Sequence, residues 1–328
     1  MALTGFVSAW LAIRARPDSA DGSTIRINGD VVEVGKSVSS KTARRVAVVI
    51  SLIVGVIFGS QFNANWSEIL LMFNAQSFGT TDPQFGLDNG FYVFVLPGLK
   101  LVLAAVAMLL GVGLVFSVVT HVLMGGIRIT MPVNGRGLFS ITKRCRRQLG
   151  IWLMLNMFAW AVRQMIGVFD QLTVQGSRIT GASYTAVHAN IPVTFIMAAL
   201  TAILGVVLGI WLMRSHTLEG QASIGVRASA ALKAWRVPVT SIAVVVVVGL
   251  VLTVAWPVLL QRFRVNPNAQ EMESTYIQRN IDATRAAYGL DKLKTEQYKV
   301  TDKGEQGALA KEADTTAQIR LLDPQVVS

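Results

Sequence analysis

SFGTTDPQFGLDNGFYVFVLPGLKLVLAAVAMLLGVGLVFSVVTHVL, residues 77–123, joins two kinds of sequence. The first part is dense in turn formers. Asp82-Pro83, Gly86, Asp88 and Asn89-Gly90 punctuate it, and Phe91, Tyr92 and Phe94 lead out of it. The second part, 94–123, carries Lys100 as its one Lys, Arg, Asp or Glu. A helix of that length exceeds the hydrocarbon thickness of a bilayer, about 30 Å at 1.5 Å per residue. Pro97 is expected to start or kink it, since proline lacks an N–H and clashes with the preceding turn. A structured loop running into a membrane span predicts a docking surface at the membrane face.

Working outward, further apolar runs occur at about 46–62, 149–168, 191–213 and 237–260, and residues 1–13 supply roughly two-thirds of a span. The expected fold is an all-α integral membrane protein. It is a polytopic helical bundle of five full spans plus a partial N-terminal one, occupying residues 1–260. From residue 261 the composition turns soluble, and 261–328 reads as the start of an extracytoplasmic domain with α/β character. There Asn268 and Glu271 sit at capping positions, a helix runs to about Tyr288 and stops at Gly289, and Ile277, Ile281 and Tyr288 form its apolar face. Strand-like pieces follow at 297–301 and 318–322. Elsewhere, residues 25–34 predict a small hairpin turning at Asn28-Gly29. Residues 65–74 predict an amphipathic surface helix with Asn65 and Glu68 as a capping box. Gly55/Gly59 and Gly205/Gly209 each leave room for a close helix neighbour.

The charge pattern gives the orientation. Of the 328 residues, 52% are hydrophobic and 15% charged, with a net charge of +11. Loops 14–45, 121–148 and 214–236 together hold seventeen Lys and Arg, whereas loops 63–100 and 169–190 hold only Lys100 and Arg178. The positive-inside rule puts the first set in the cytoplasm and residues after 260 outside it. The positive excess is therefore topological, and no nucleic-acid partner is expected. Trp10, Trp152, Trp211 and Trp235 fall near inner boundaries, and Trp66, Trp160 and Trp256 near outer ones.

Four stretches carry a family resemblance: FGTTDPQFGLDNGFYVFVLP (78–97), HVLMGGIR (121–128), TGASYTAVHA (180–189) and VLLQRFRVNPNAQEMESTYIQRNIDATRAAYGL (258–290). In this order they resemble uncharacterised protein family 0182, large bacterial multi-pass membrane proteins. The resemblance implies about seven spans followed by a large extracytoplasmic domain. By that measure this chain begins inside the second family helix and stops early in the soluble domain. The family brings no activity and no catalytic residues to carry over.

Chemistry-bearing residues are sparse. One cysteine, Cys145, and three scattered histidines give no disulfide, zinc, P-loop or dinucleotide pattern. No catalytic residue, cofactor or metal is expected. Arg163 is a charge within a span, about five residues from its outer end, where snorkelling to the interface competes with pairing to Asp170, Asp82 or Asp88. Asn156 lies deeper and is expected to hydrogen-bond between helices. Asp82, Asp88 and Tyr92 in the first outer loop, and Tyr184 and His188 in the second, complete the candidates. The two loops are expected to pack on each other. Lys143, Arg144, Arg146 and Arg147 form a basic cluster suited to anionic lipid headgroups. The partners expected are therefore the lipid bilayer and other envelope proteins. The favoured reading is a bacterial plasma-membrane protein of unassigned activity that anchors an extracytoplasmic domain. A transporter or channel subunit is the alternative, and an enzyme sited in the outer domain the third.

Overall fold

The computed structural model describes residues 2–14, 23–27, 30–34, 40–124, 126–129, 139–174, 180–215, 224–290 and 293–294. The chain divides into two units, Met1–Ile281 and Asp282–Ser328. In the second, the described residues are the last turn of a helix, closed at Gly289 with φ +66°, and a few residues beyond. The predicted strands at 297–301 and 318–322 lie outside the described residues.

The first unit is mostly helical. Its helices are α1 (Ala2–Arg14), α2 (Ser40–Ala64), α3 (Trp66–Phe73), α4 (Leu96–Leu123), α5 (Lys143–Gly167), α6 (Ile191–Arg214), α7 (Ile224–Leu250), α8 (Trp256–Leu260) and α9 (Ala269–Ala287), the last running into the second unit. Two short antiparallel ribbons accompany them. β1 (Ser23–Ile27) pairs with β2 (Asp30–Val34), with Ile27 opposite Asp30. This is the predicted hairpin, although Asn28 and Gly29 lie outside the described residues. β3 (Ile127–Ile129) pairs with β4 (Phe139–Ile141).

Among the described residues, four helical segments are long and apolar enough to cross a membrane: Phe91–Leu123, Lys143–Leu172, Ala186–Arg214 and Trp235–Val265. Their outward faces are apolar. Val244, Val247, Val251 and Val254 are more than half exposed, as are Phe158, Trp160 and Ile203. In α4, α5 and α6 the buried positions are mostly small or polar, among them Gly98, Gly113, Gly150, Gly205, Gly209, Ser117 and Thr201, with Leu96, Leu149, Ile191 and Val193 the large apolar ones. A helix in water hides its large apolar side chains, whereas lipid tails are as apolar as leucine and leave packing to small residues.

Helix α4 packs against α1 and α5, α5 against α6, α6 against α7, and α1 also against α2. The α5–α6 seam is closest. A Cβ at Gly205 would run into Met157, one at Gly209 into Met154, and one at Gly150 would sit 2.9 Å from the Gly209 carbonyl oxygen. The Gly205/Gly209 pair is thus a true contact surface, whereas nothing lies within 4 Å of Gly59. Trp152, half-buried, packs its ring on Gly113 of α4. Polar bonds cross the same seams. Asn156 Nδ2 donates to the Leu110 carbonyl (3.0 Å), and Gln164 Nε2 to Thr201 Oγ1 (3.2 Å).

A further network ties three helices together. Ser8 Oγ donates to the Gly113 carbonyl (2.5 Å), and Gln148 Nε2 donates to the Ser8 carbonyl (3.0 Å). That fixes the amide, so Gln148 Oε1 accepts from His121 Nε2 at 3.1 Å. His121 and Ser8 are both buried. Nothing in the hydropathy pattern signals this set.

Four π-helical turns share one cause. Phe91–Val95, Ala186–Asn190, Val251–Ala255 and Gln261–Val265 are each followed, after one residue, by proline: Pro97, Pro192, Pro257 and Pro267. In each, the residue before the proline donates its N–H five residues back, as Leu96 does to Phe91 and Ile191 to Ala186. Proline has no N–H to give and its ring clashes with the carbonyl four residues back, and a wider turn relieves that crowding. The helices that carry Pro97 and Pro192 thus begin at Phe91 and Ala186, several residues before the proline, and the last span runs through Pro257 to Val265.

Helix α3 follows its predicted range, but the Asn65 side chain makes no cap bond. Asn74 Nδ2 closes the other end instead, donating to the Leu70 carbonyl (2.8 Å). Met72 and the Glu68 carbonyl pack on Gly98, which seats α3 against the start of α4.

Candidate functional site

The loop before α4 is organised by two carboxylates. Asp82, 8% exposed, accepts from the backbone N–H groups of Gln84 (2.7 Å), Phe85 (2.7 Å) and Leu87 (3.1 Å), and from the Tyr92 hydroxyl (2.7 Å). This is a side chain standing in for a backbone turn, which Asp does well because its oxygens reach the amides two and three residues on. Gly86, at φ +70°, lets the chain reverse and return its N–H to the Asp82 carbonyl (3.1 Å). Asp88 gathers the other half, accepting from the Ser77 hydroxyl (2.5 Å) and the N–H groups of Phe78 (3.0 Å), Gly79 (3.0 Å) and Gly90 (2.7 Å). Burial pushes the Asp82 carboxyl up, but the bonds from Phe85, Tyr92, Gln84 and Leu87 outweigh it and hold the pKa below the usual value. The Ser77 hydroxyl, with help from Phe78, Gly90 and Gly79, draws Asp88 down to about 2.

A pH dependence follows. Both carboxyls have folded pKa values below the ordinary 3.8, so they bind fewer protons in the folded loop than in the open one. Their contribution is complete above about pH 5 and is lost as pH falls through 3.8 towards 2. Hydrogen exchange, corrected for its intrinsic pH dependence, should show residues 77–90 equally protected at pH 7 and pH 5 and progressively opened below about pH 4. Opening on raising pH from 5 to 7 would contradict the assignment.

This loop rests on Phe169, in the 3-10 turn Val168–Leu172 that ends α5. Phe85, Phe91 and Tyr92 meet its ring edge-on, with centroids 5.0, 5.3 and 6.3 Å away. The second loop is held separately. Tyr184 stacks on His188 at 4.0 Å, and the His188 Nδ1 lies 3.1 Å from the Tyr184 carbonyl oxygen. Helix α9 then reaches both loops. Its Glu273 is buried and accepts from the Tyr184 N–H (3.1 Å), and Tyr276 meets the Tyr184 ring edge-on. Asn280 Nδ2 donates to the Thr180 carbonyl (2.8 Å), and Arg279 donates to Gln84 Oε1 in the first loop (3.3 Å). Just upstream, the Thr185 hydroxyl bonds Gln261, and Arg264 lies over the Tyr184 ring. Among the described residues, the loops are joined at Phe169 and Asp170, at the start of 169–190, and through α9.

The sequence candidates sort accordingly. Asp82 and Tyr92 are bonded to each other, and Tyr184 and His188 are stacked. Asn156 makes the expected interhelical bond. Arg163 is exposed, and Asp170 pairs with Lys100 instead (2.8 Å). In the basic cluster Lys143, Arg144 and Arg147 are exposed, but Arg146 is fully buried, so its guanidinium is not a surface headgroup contact. The predicted apolar face of α9 is also replaced. Ile281 and Tyr288 are exposed, and the residue buried is Glu273. Among the described residues, no cluster of His, Cys, Asp or Glu could hold a metal ion. Phe169 and Glu273 escaped the sequence reading, since a lone aromatic after a span and a lone acid on a polar helix carry no periodic signal.

The fold and site together define a mostly helical protein with several membrane-length helices and a loop platform at one end of them. The chain belongs to the uncharacterised protein family UPF0182, whose family model matches residues 1–328. It is 77% identical over 328 residues to a UPF0182 protein of Bifidobacterium adolescentis, covering 100% of this chain and 30% of that protein. It is 36% identical over 326 residues to one of Kocuria rhizophila, covering 98% and 30%. The chain therefore spans about a third of the length of these relatives. No solved structure matches it.

Proposed function

We propose that this chain is the membrane region of a multi-pass bacterial plasma-membrane protein that anchors an extracytoplasmic domain in the cell envelope. In this reading α2, Ser40–Ala64, is a fifth full span and α1 a partial one. The observation that carries it is the α9 clasp. The first polar helix after the last span is fastened by Glu273, Tyr276, Arg279 and Asn280 to loops from two other parts of the chain. Such a clasp ties the start of the polar segment after residue 260 to these loops. The orientation is supported by a coincidence of two independent features. Lys and Arg counting assigns the loops at 63–100 and 169–190 and the stretch after 260 to one side, and these segments meet at one end of the helices. On this reading that end is extracytoplasmic, and residues 261–328 open an α/β domain there. Envelope proteins are the partners to seek at this face, and anionic lipids at Lys143, Arg144 and Arg147 on the other.

Reporter fusions test the layout. Fusions after Arg147 and Arg236 should read cytoplasmic, and fusions after Asp170 and Asn268 extracytoplasmic. A cytoplasmic signal at Asn268 would overturn both the topology and the anchor. The transporter alternative needs a polar path, for which the spans offer Arg163, Asn156, Gln164 and a few Ser and Thr; Asn156 and Gln164 are bonded to Leu110 and Thr201 at helix seams, and Arg163 is exposed.

A further inference from the structure

Between α2 and α4 runs an apolar groove of about 210 Å³. Val46, Ala47 and Ile50 form one wall, and Val119, Leu123 and Met124 the other. We infer that this groove holds an acyl chain of an anionic phospholipid, with the headgroup phosphate at Arg45 and Arg14. The inference rests on the membrane-spanning reading of these helices and goes beyond it in naming the ligand class and site.

Three observations favour a lipid. First, the groove has a basic end. Arg45 directly precedes Val46 and is exposed. Ile13 packs on Met124, which brings the C-terminus of α1, and with it the exposed Arg14, to the same end. Arg14 lies over the Trp10 ring at 3.7 Å, which holds the guanidinium at the helix end. Cations beside a membrane-depth apolar slot match a phosphate and its chain. Second, the walls do not suit a helix. The helix seats in this chain are made at glycines, among them Gly98, Gly113, Gly150 and Gly209, which let backbones approach. Among the described residues the groove lining contains no glycine and leaves open space between its side chains. A flexible chain fills such a space more readily than a rigid cylinder. Third, the groove is apolar along its length, with Thr120 its one polar lining residue among those described, so the selective chemistry lies at the Arg45 end.

The test uses the full chain purified in detergent, exposed to mixed phosphatidylglycerol and phosphatidylcholine, with retained lipid read by native mass spectrometry. Wild type should retain phosphatidylglycerol over phosphatidylcholine by at least about fivefold, the scale of one to two arginines near a phosphate surface. Arg14→Gln/Arg45→Gln should bring the two lipids to near parity while lipid is still held. Val119→Trp, a change at an exposed wall position that fills the slot, should remove most retained lipid of both kinds. Lys143→Gln/Arg144→Gln should leave the preference in place. Equal retention of both lipids by wild type would overturn the inference. So would undiminished lipid on Val119→Trp, displacement by inorganic phosphate alone, or a dimer that Val119→Trp abolishes while lipid stays. Extraction of the protein from membranes by carbonate would instead sink the membrane reading itself.

Discussion

Gly209→Val should destabilise the helical bundle by about 3 kcal/mol, the upper part of the range for forcing extra atoms into a packed seam. The reason is backbone proximity. A Cβ at Gly209 falls on the Met154 side chain and lies 3.0 Å from the Gly150 carbonyl oxygen. Met154 can swing aside, since its thioether chain is flexible, but the Gly150 backbone cannot move without moving α5. Valine adds two methyls to that Cβ, so α5 and α6 must separate. Gln164 and Thr201, bonded across the same seam, would then be strained or parted. The measurement is unfolding in detergent by increasing mole fraction of SDS, followed by tryptophan fluorescence. Gly59→Val is the control, because that position faces open space. Similar midpoint shifts for the two variants would show that the loss comes from helix chemistry in general and not from the seam.

Asp82→Ala should open the loop at 77–90 and cost about 3 kcal/mol locally. The carboxylate accepts four hydrogen bonds, three of them from part-buried backbone N–H groups that lose their acceptor while the loop stays closed. Each stranded donor costs about 1–3 kcal/mol, and opening the loop to solvent caps the total. Exchange at Gln84, Phe85 and Leu87 should therefore accelerate by about two orders of magnitude, as a change of that size implies. Tyr92→Phe removes one donor and should have a much smaller effect. In the double variant the Tyr92 change should add almost nothing, because its acceptor is already gone. Additive effects would mean that the hydroxyl is not bound to Asp82. Gln84 also receives Arg279 of α9, so the Asp82 change should weaken the clasp as well as the loop. On the anchoring reading, protease sensitivity should then appear near α9.

Much of the architecture was written locally. Runs of apolar residues without charge set where the long helices lie, because burying a backbone in lipid leaves helix as the means of satisfying its own polar groups over one segment. Asp, Gly and Pro chemistry marked the loop at 77–90 correctly, since an Asp oxygen reaches amides two or three residues on whatever the rest of the chain does. The same locality explains why the π turns were open to derivation from Pro97, Pro192, Pro257 and Pro267, although hydropathy alone is silent on them.

The pairing of distant residues was decided only in the tertiary structure. Glu273 meets Tyr184 across 89 residues, Gln148 meets Ser8 across 140, and Arg279 meets Gln84 across 195. A lone acid, amide or cation has many acceptable partners in a chain of this length, and which one it finds depends on how helices turn about their axes. Arg146 and Arg163 show the consequence. The arginine within the basic cluster is buried, and the arginine within the span is exposed, because the rotation of α5 is set by Gly150, Trp152 and Asn156 packing on its neighbours rather than by charge.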